Sequence, residues 1–367
     1  MKLNVFWASL LCLLLVTSCG KEEKDDFVDL HSMPAVPMEG ELIDGDWMGY
    51  HTDNMRFIQS KLFHFCPTKE DACLVTTEKM DTIGYLSGIG NGPGEMLQPS
   101  FCGVSENQDT IYMYDDMVKE QFVFHVEVEG DKMSYMFVEK RKLNSSSLQY
   151  RGMNMFQQYF FLTRLGNGYS VAYRCLTNGD IFTLFDKDLN ALADFGEYPI
   201  DKNLFEGEVH NTLGFGGPMA ADETSFYFAS YHFGYLSRYD VNDQGNLSKI
   251  WEKQFTSPKY SVRNNLVKMS SDNVESFYDL IVGKEYIYVS FSGMEERELF
   301  NDSSGEALIP KMLVVLDKQG NVKGKFDLGK KICTFCLDDK EEYLYVNHEE
   351  PDASMWRYKV SDFMENF

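Results

Sequence analysis

Chemistry in this 367-residue chain would have to come from seven histidines, eight cysteines and 57 acidic side chains. His31, His51, His64, His125, His210, His232 and His348 are scattered, none belongs to an HExxH motif, and no GxSxG turn presents a nucleophilic serine. Cys333-Thr-Phe-Cys336 has CxxC spacing, yet it lies in an apolar, strand-like run where residues three apart face opposite sides. No second CxxC or paired histidine accompanies it, so zinc lacks a ligand set. Asp186-Lys-Asp188-Leu-Asn190, with Asp194 and Glu197, partly follows a calcium loop but carries Ala191 where the sharp turn needs glycine. Gly88 to Glu95 lacks the GxxxxGK[ST] order of a phosphate cradle and no helix follows. It reads as a turn, with glycine supplying positive φ and Pro93 fixing the bend. These residues predict no catalytic set, no metal and no cofactor.

The first residues carry an address. Met1 to Ser18 combines an early lysine, an apolar run from Leu10 to Val16 and small residues at Thr17 and Ser18, the order of a secretory signal too short to span a bilayer. Val16-Thr17-Ser18-Cys19 resembles the bacterial lipobox, which implies cleavage before Cys19 and acylation of its thiol. The implied partner is outer-membrane lipid, held by several acyl chains at about 0.8 kcal/mol per buried CH₂. The acidic, apolar-free stretch ending at Asp26 predicts flexibility. It also resembles the signals that follow the lipidated cysteine in surface-exposed lipoproteins of the Bacteroidota type, and a plain charged spacer explains it equally. The expected organisation is a signal peptide over 1–18, a lipidated tether over 19–40 and a folded unit over 41–367, on the periplasmic side of the outer membrane or at the cell surface. A formal charge of -23 excludes nucleic acid, whose phosphates need a Lys/Arg surface. Beyond Cys12 and Cys19, six cysteines remain; Cys66 and Cys73 flank a hairpin turn and are placed to pair.

The elements that must position any site repeat. A strand of alternating aromatic and β-branched residues begins at Ile111, Tyr169, Phe226, Ile287 and Leu344, a period of 57 to 61 residues. Each strand precedes a hairpin, and further hairpin-like units start at Lys61 and Ser354. Strands and turns at such a period predict a ring of four-stranded antiparallel blades, each with an apolar face that only its neighbour can bury. The first and last units are incomplete, so a segment near Leu42 to Tyr50 is expected to complete the final blade. The one doubtful helical stretch is Leu148 to Phe161.

Gly88-Ile-Gly90-Asn-Gly92-Pro-Gly94-Glu95-Met-Leu-Gln-Pro99, followed by Asp109-Thr-Ile-Tyr-Met-Tyr-Asp115 and Phe122-Val-Phe124, resembles the NHL-type blade, in which a Gly-rich turn and a proline precede a short strand ending in Asp. With the lipobox, it resembles the TolB-like six-bladed β-propeller lipoproteins of the Bacteroidota. That resemblance implies an all-β, six-bladed propeller and leaves function open, since propellers host enzymes, scaffolds and receptors alike.

In a propeller, the loop after each second strand shares a face with the inter-blade connections. This rule selects Arg174, Tyr231, His232, Phe233, Arg297, His348, Glu349 and Glu350, aromatic and charged residues suited to sugar or peptide contact. Tyr231, His232, Phe233 and Glu349 are expected partly exposed on one rim with Arg297, and Ser292 to Pro310 is long enough to cover the axial opening. The expected function is a non-catalytic binding or scaffold module for a glycan, peptide or envelope protein. The alternative is a hydrolase or lyase using axial His232, His348 and carboxylates.

Overall fold

The computed structural model describes residues 28–43, 54–65, 70–144, 147–150, 153–156, 159–177, 179–198, 200–204, 210–211, 215–264, 266–301, 309–349 and 353–367. Six antiparallel sheets follow one another as the blades of a six-bladed β-propeller. The inner strands Asn54–Ile58, Pro99–Val104, Tyr159–Arg164, Met219–Ala221, Phe277–Val282 and Ile332–Leu337 abut around the axis. The repeated aromatic motifs are the second strands of blades two to six: Thr110–Asp115, Ser170–Arg174, Ser225–Ala229, Tyr286–Phe291 and Tyr343–His348. Their near-continuous apolar sequence reflects burial on both faces, as in Ser225–Ala229, where every residue is buried. Outer strands face solvent and mix polar with apolar residues, as in Leu247–Gln254.

The core is divided among six clusters, one at each junction between successive blades. At the junction of blades three and four, Phe182 stands 5.0 Å from both Phe226 and Phe228 in edge-to-face contact. The cluster joining blade six to blade one contains Met55, Leu62, Tyr345 and Met355, so the ring is closed.

Closure uses the N-terminal chain. Glu41–Leu42 pairs with Ser354–Lys359 and supplies the outer strand of blade six, which meets the expectation at Leu42; residues 44–53 lie outside the described residues. Folding begins earlier than residue 41, however. Leu30 is fully buried between blades four and five, and Val36–Pro37 adds a parallel strand to Val322–Asp327. The nearly buried Lys325 donates to the carbonyls of Leu30 and Met33 at 2.9 and 3.0 Å. Residues 29–40 therefore form a strap over blade five; the apolar Leu30 separates this stretch from the charged run before Asp26.

Two other expectations change. Part of Leu148 to Phe161 forms a hairpin, Ser147–Tyr150 against Met153–Phe156, and its end enters the inner strand Tyr159–Arg164, so no helix forms there. Lys61–Phe65 and Asp71–Thr76 are the second and third strands of blade one, one position inward from the other hairpins. Cys66 lies outside the described residues.

The motifs weighed for chemistry turn out to hold turns together. Residues 89–98 link blades one and two, and Asp115 at the end of the next strand accepts N–H bonds from Leu97 at 2.6 Å and Met117 at 2.8 Å. In the calcium-like loop, Asp186 Oδ1 accepts from the N–H groups of Asp188 and Asn190 at 2.9 and 2.8 Å, closing a hairpin turn. Asn242 and Asp317 build the same turn in blades four and five. Its fourth residue is left-handed: Gly245 at φ 78°, Gly320 at φ 77° and, in blade three, Leu189 at φ 62°.

Candidate functional site

Two cavities open along the axis. The one on the inter-blade face has a volume of about 540 Å³, the other about 400 Å³, and Asn54, Phe101, Thr163 and Met219 belong to the walls of both. The larger mouth is edged by Asp116, Phe161, Tyr231, Tyr278 and Asp279, with Ile309 and Pro310 reaching it from the long connection of blade five. Residues 302–308 of that connection lie outside the described residues.

Asp116 directly follows the second strand of blade two. Its side chain is only 9% exposed, Lys119 Nζ stands 3.9 Å from Oδ1, and Oδ1 has no hydrogen-bond partner. Burial pushes its pKa up to about 6, although Lys119, the Phe161 N–H and the Ser100 hydroxyl favour the charged form. Lys119 is itself occupied: it donates to the Tyr159 carbonyl at 2.7 Å and lies 4.5 Å from the Phe160 ring centre.

Phe161 sits at a bulge where the register against Ser170–Arg174 slips between Phe160 and Leu162. Its φ is 55°, a left-handed conformation uncommon for an aromatic residue, and its ring is exposed at the mouth. Asp279, at the start of the inner strand of blade five, is buried and accepts from the Thr334 hydroxyl at 2.7 Å and the Phe335 N–H at 3.2 Å. Burial raises its pKa, and the charge of Arg56 acts against that rise.

Beside the mouth, His232 Nδ1 lies 2.9 and 2.8 Å from the two oxygens of Glu275, a carboxylate that is 1% exposed. Tyr278 donates to the same carboxylate at 3.0 Å, and the Tyr231 and Tyr278 rings are 5.5 Å apart. Glu296 stands close enough for its pKa to rise, through burial first and the charge of Glu275 second.

The sequence-derived candidates disperse. Tyr231 lines the mouth and His232 stands next to it. Phe233, expected partly exposed, is 1% exposed and packs on Phe215 and Tyr260, because the chain after Tyr231 turns inward. His348 is fully buried, with Nδ1 3.0 Å from the Lys331 carbonyl and Nε2 2.9 Å from the Tyr358 hydroxyl. Arg174 is buried within blade three and pairs with Asp194 at 2.6 Å. Arg297 is exposed on the short helix Glu296–Asn301 and pairs with Glu295 and Asp272. Glu349 is half-buried, and Glu350 lies outside the described residues. Cys102 and Cys336 carry free thiols whose pKa values burial raises, that of Cys102 to about 12, which disfavours the reactive thiolate.

Asp116, Phe161, Tyr278 and Glu275 escaped the sequence reading. Asp116 obeys the same second-strand rule that selected Tyr231, whereas the Phe161 bulge leaves no compositional trace.

No protein-family model and no curated protein matches the chain. Among solved structures, the "Putative exported protein" of Bacteroides fragilis NCTC 9343 superposes with a TM-score of 0.55, at 11% identity, over 90% of this chain and 98% of that one. The shared property is the fold. The RRP9 WD40 repeats align with a TM-score of 0.46 at 7% identity over 88% of this chain and 98% of theirs.

Proposed function

We propose that this protein is a cell-envelope binding module that takes a glycan, peptide or partner protein at the axial mouth of its inter-blade face. The observation that carries this reading is a cavity of about 540 Å³ walled by aromatic rings and by Asp116, whose buried carboxylate has one oxygen without a hydrogen-bond partner. The signal-like first 18 residues and Cys19 support an outer-membrane lipoprotein, and the fold shared with a protein named as exported agrees with an envelope address. The test is array binding of glycans and peptides to the full chain carrying Cys19→Ala, repeated with Tyr231→Ala and Tyr278→Ala. Loss of the bound ligand in both variants supports the mouth, and unchanged binding rejects it. Fractionation of wild type against Cys19→Ala tests the anchor.

One observation favours a second reading, a hydrolase or lyase. Glu275 holds His232 Nδ1 as the orienting carboxylate of an acid–base histidine would. Turnover of an ester, glycoside or uronide that His232→Asn abolishes would establish it.

A further inference from the structure

We propose that the mouth binds a neutral saccharide, Asp116 accepting its hydroxyl hydrogens and the Phe161 ring stacking on a sugar C–H face. This inference rests on the mouth being the ligand site.

The first ground is an unmet acceptor. Asp116 is nine-tenths buried and its Oδ1 lacks a hydrogen-bond donor. A buried acceptor left in that condition is destabilising, and a ligand hydroxyl would relieve it. The side-chain oxygen of Asn54, on the cavity wall, likewise has no partner. Lys119 does not fill the gap, since it stands 3.9 Å away and donates to the Tyr159 carbonyl instead.

A second, independent ground is strain without burial. The left-handed backbone of Phe161, at φ 55°, is strained for a residue with a Cβ. Core packing would offset such a cost, yet this side chain is 38% exposed. Strained residues of this kind concentrate at ligand clamps. The bulge also directs the Phe161 N–H towards Asp116, so ring and carboxylate are set by the same few atoms of backbone.

Charge then selects the ligand class. Asp116 already faces Lys119, and Asp279 already faces Arg56. Both carboxylates on the wall therefore have a counter-charge of their own, which leaves no uncompensated charge for an ionic ligand to pair with, and a polyol needs none. Tyr231 and Tyr278 provide a further aromatic wall.

The experiment is calorimetric titration of the purified full chain, in detergent, with short neutral oligosaccharides, uronate-containing oligosaccharides and lysine-terminated peptides. Binding of a neutral oligosaccharide, insensitive to salt and weakened about tenfold by Asp116→Asn and by Phe161→Ala, is the expected result. Thermal unfolding of each variant verifies that it is folded. Salt-sensitive binding of lysine-terminated peptides alone, lost in Asp116→Asn, overturns the saccharide assignment and leaves the mouth as the ligand site. Binding confined to uronates likewise overturns the neutral class. A ligand indifferent to Asp116→Asn, Phe161→Ala, Tyr231→Ala and Tyr278→Ala overturns both assignments, and absence of any saccharide binding overturns this one.

Discussion

The two faces of the propeller are closed by the same strands but finished differently. On the hairpin face, Asp186, Asn242 and Asp317 each spend a side-chain oxygen on two backbone N–H groups of their own turn. On the inter-blade face the connections lengthen into the hairpins Ser147–Phe156 and Tyr260–Met269 and the helix Glu296–Asn301. A turn that satisfies itself retains little polar capacity for a ligand. On the inter-blade face an acceptor such as Asp116 Oδ1, in the short turn between Thr110–Asp115 and Glu120–Glu129, is left unfilled, and recognition needs that surplus.

The sharpest contrast is between two residues with the same unusual backbone. Leu189, on the hairpin face, has φ 62° and is fully buried; Phe161, on the other face, has φ 55° and is exposed. Leu189→Gly relieves the strain but leaves a cavity, so unfolding in urea should show a loss of about 3 kcal/mol. A loss below about 1 kcal/mol would mean that packing does not hold the leucine in this conformation.

Asp115→Ala should cost about 2 kcal/mol, because the buried Asp115 carboxylate is the acceptor for the N–H groups of both Leu97 and Met117. Asn242→Ala, in an exposed turn where water substitutes, should cost about 0.5 kcal/mol by the same measurement. Equal losses would erase the distinction between the faces.

Acidity separates mouth from core in sign. Burial holds His64 at about 3 and His348 at about 4, below the ordinary 6.5, so the unfolded chain takes up their protons first. Their contribution to stability is present above pH 6.5 and lost as the pH falls towards 4. Asp116 runs the other way. Its folded pKa of about 6 lies above the ordinary 3.8, so its contribution is present below pH 3.8 and lost as the pH rises through 6. Denaturant titrations across pH should therefore show His348→Gln flattening the acid limb and Asp116→Asn raising stability at pH 7 relative to pH 4. An unchanged profile in Asp116→Asn would contradict the desolvated carboxylate.

The smallest effect, below that of Asn242→Ala, is expected at Phe161→Gly, since relief of strain and the added entropy of the unfolded glycine oppose one another. Ligand binding at the mouth should nevertheless fall, separating a residue kept for recognition from one kept for packing.

The ring was legible in the sequence because a blade's middle strands are buried on both faces and read as aromatic runs such as Phe226-Tyr-Phe-Ala-Ser230. The NHL-like Asp was visible for a reason the structure makes physical: Asp115 caps the connection into its own blade. Side-chain direction at a strand end was not legible. Tyr231 reaches the mouth while Phe233, two residues later, fills the core between Phe215 and Tyr260. Period-two alternation ceases where the strand stops, so adjacency in sequence no longer assigns a face.

The strap across blade five gives the molecule a mechanical order. A pull on the chain at Asp29 meets Leu30 and the Lys325 clamp first, then the parallel pair at Val36–Pro37, and only then the closing strand Glu41–Leu42. Force delivered from the N-terminal side would be dissipated contact by contact over the outer edge of blade five before it could open the seam between blades six and one.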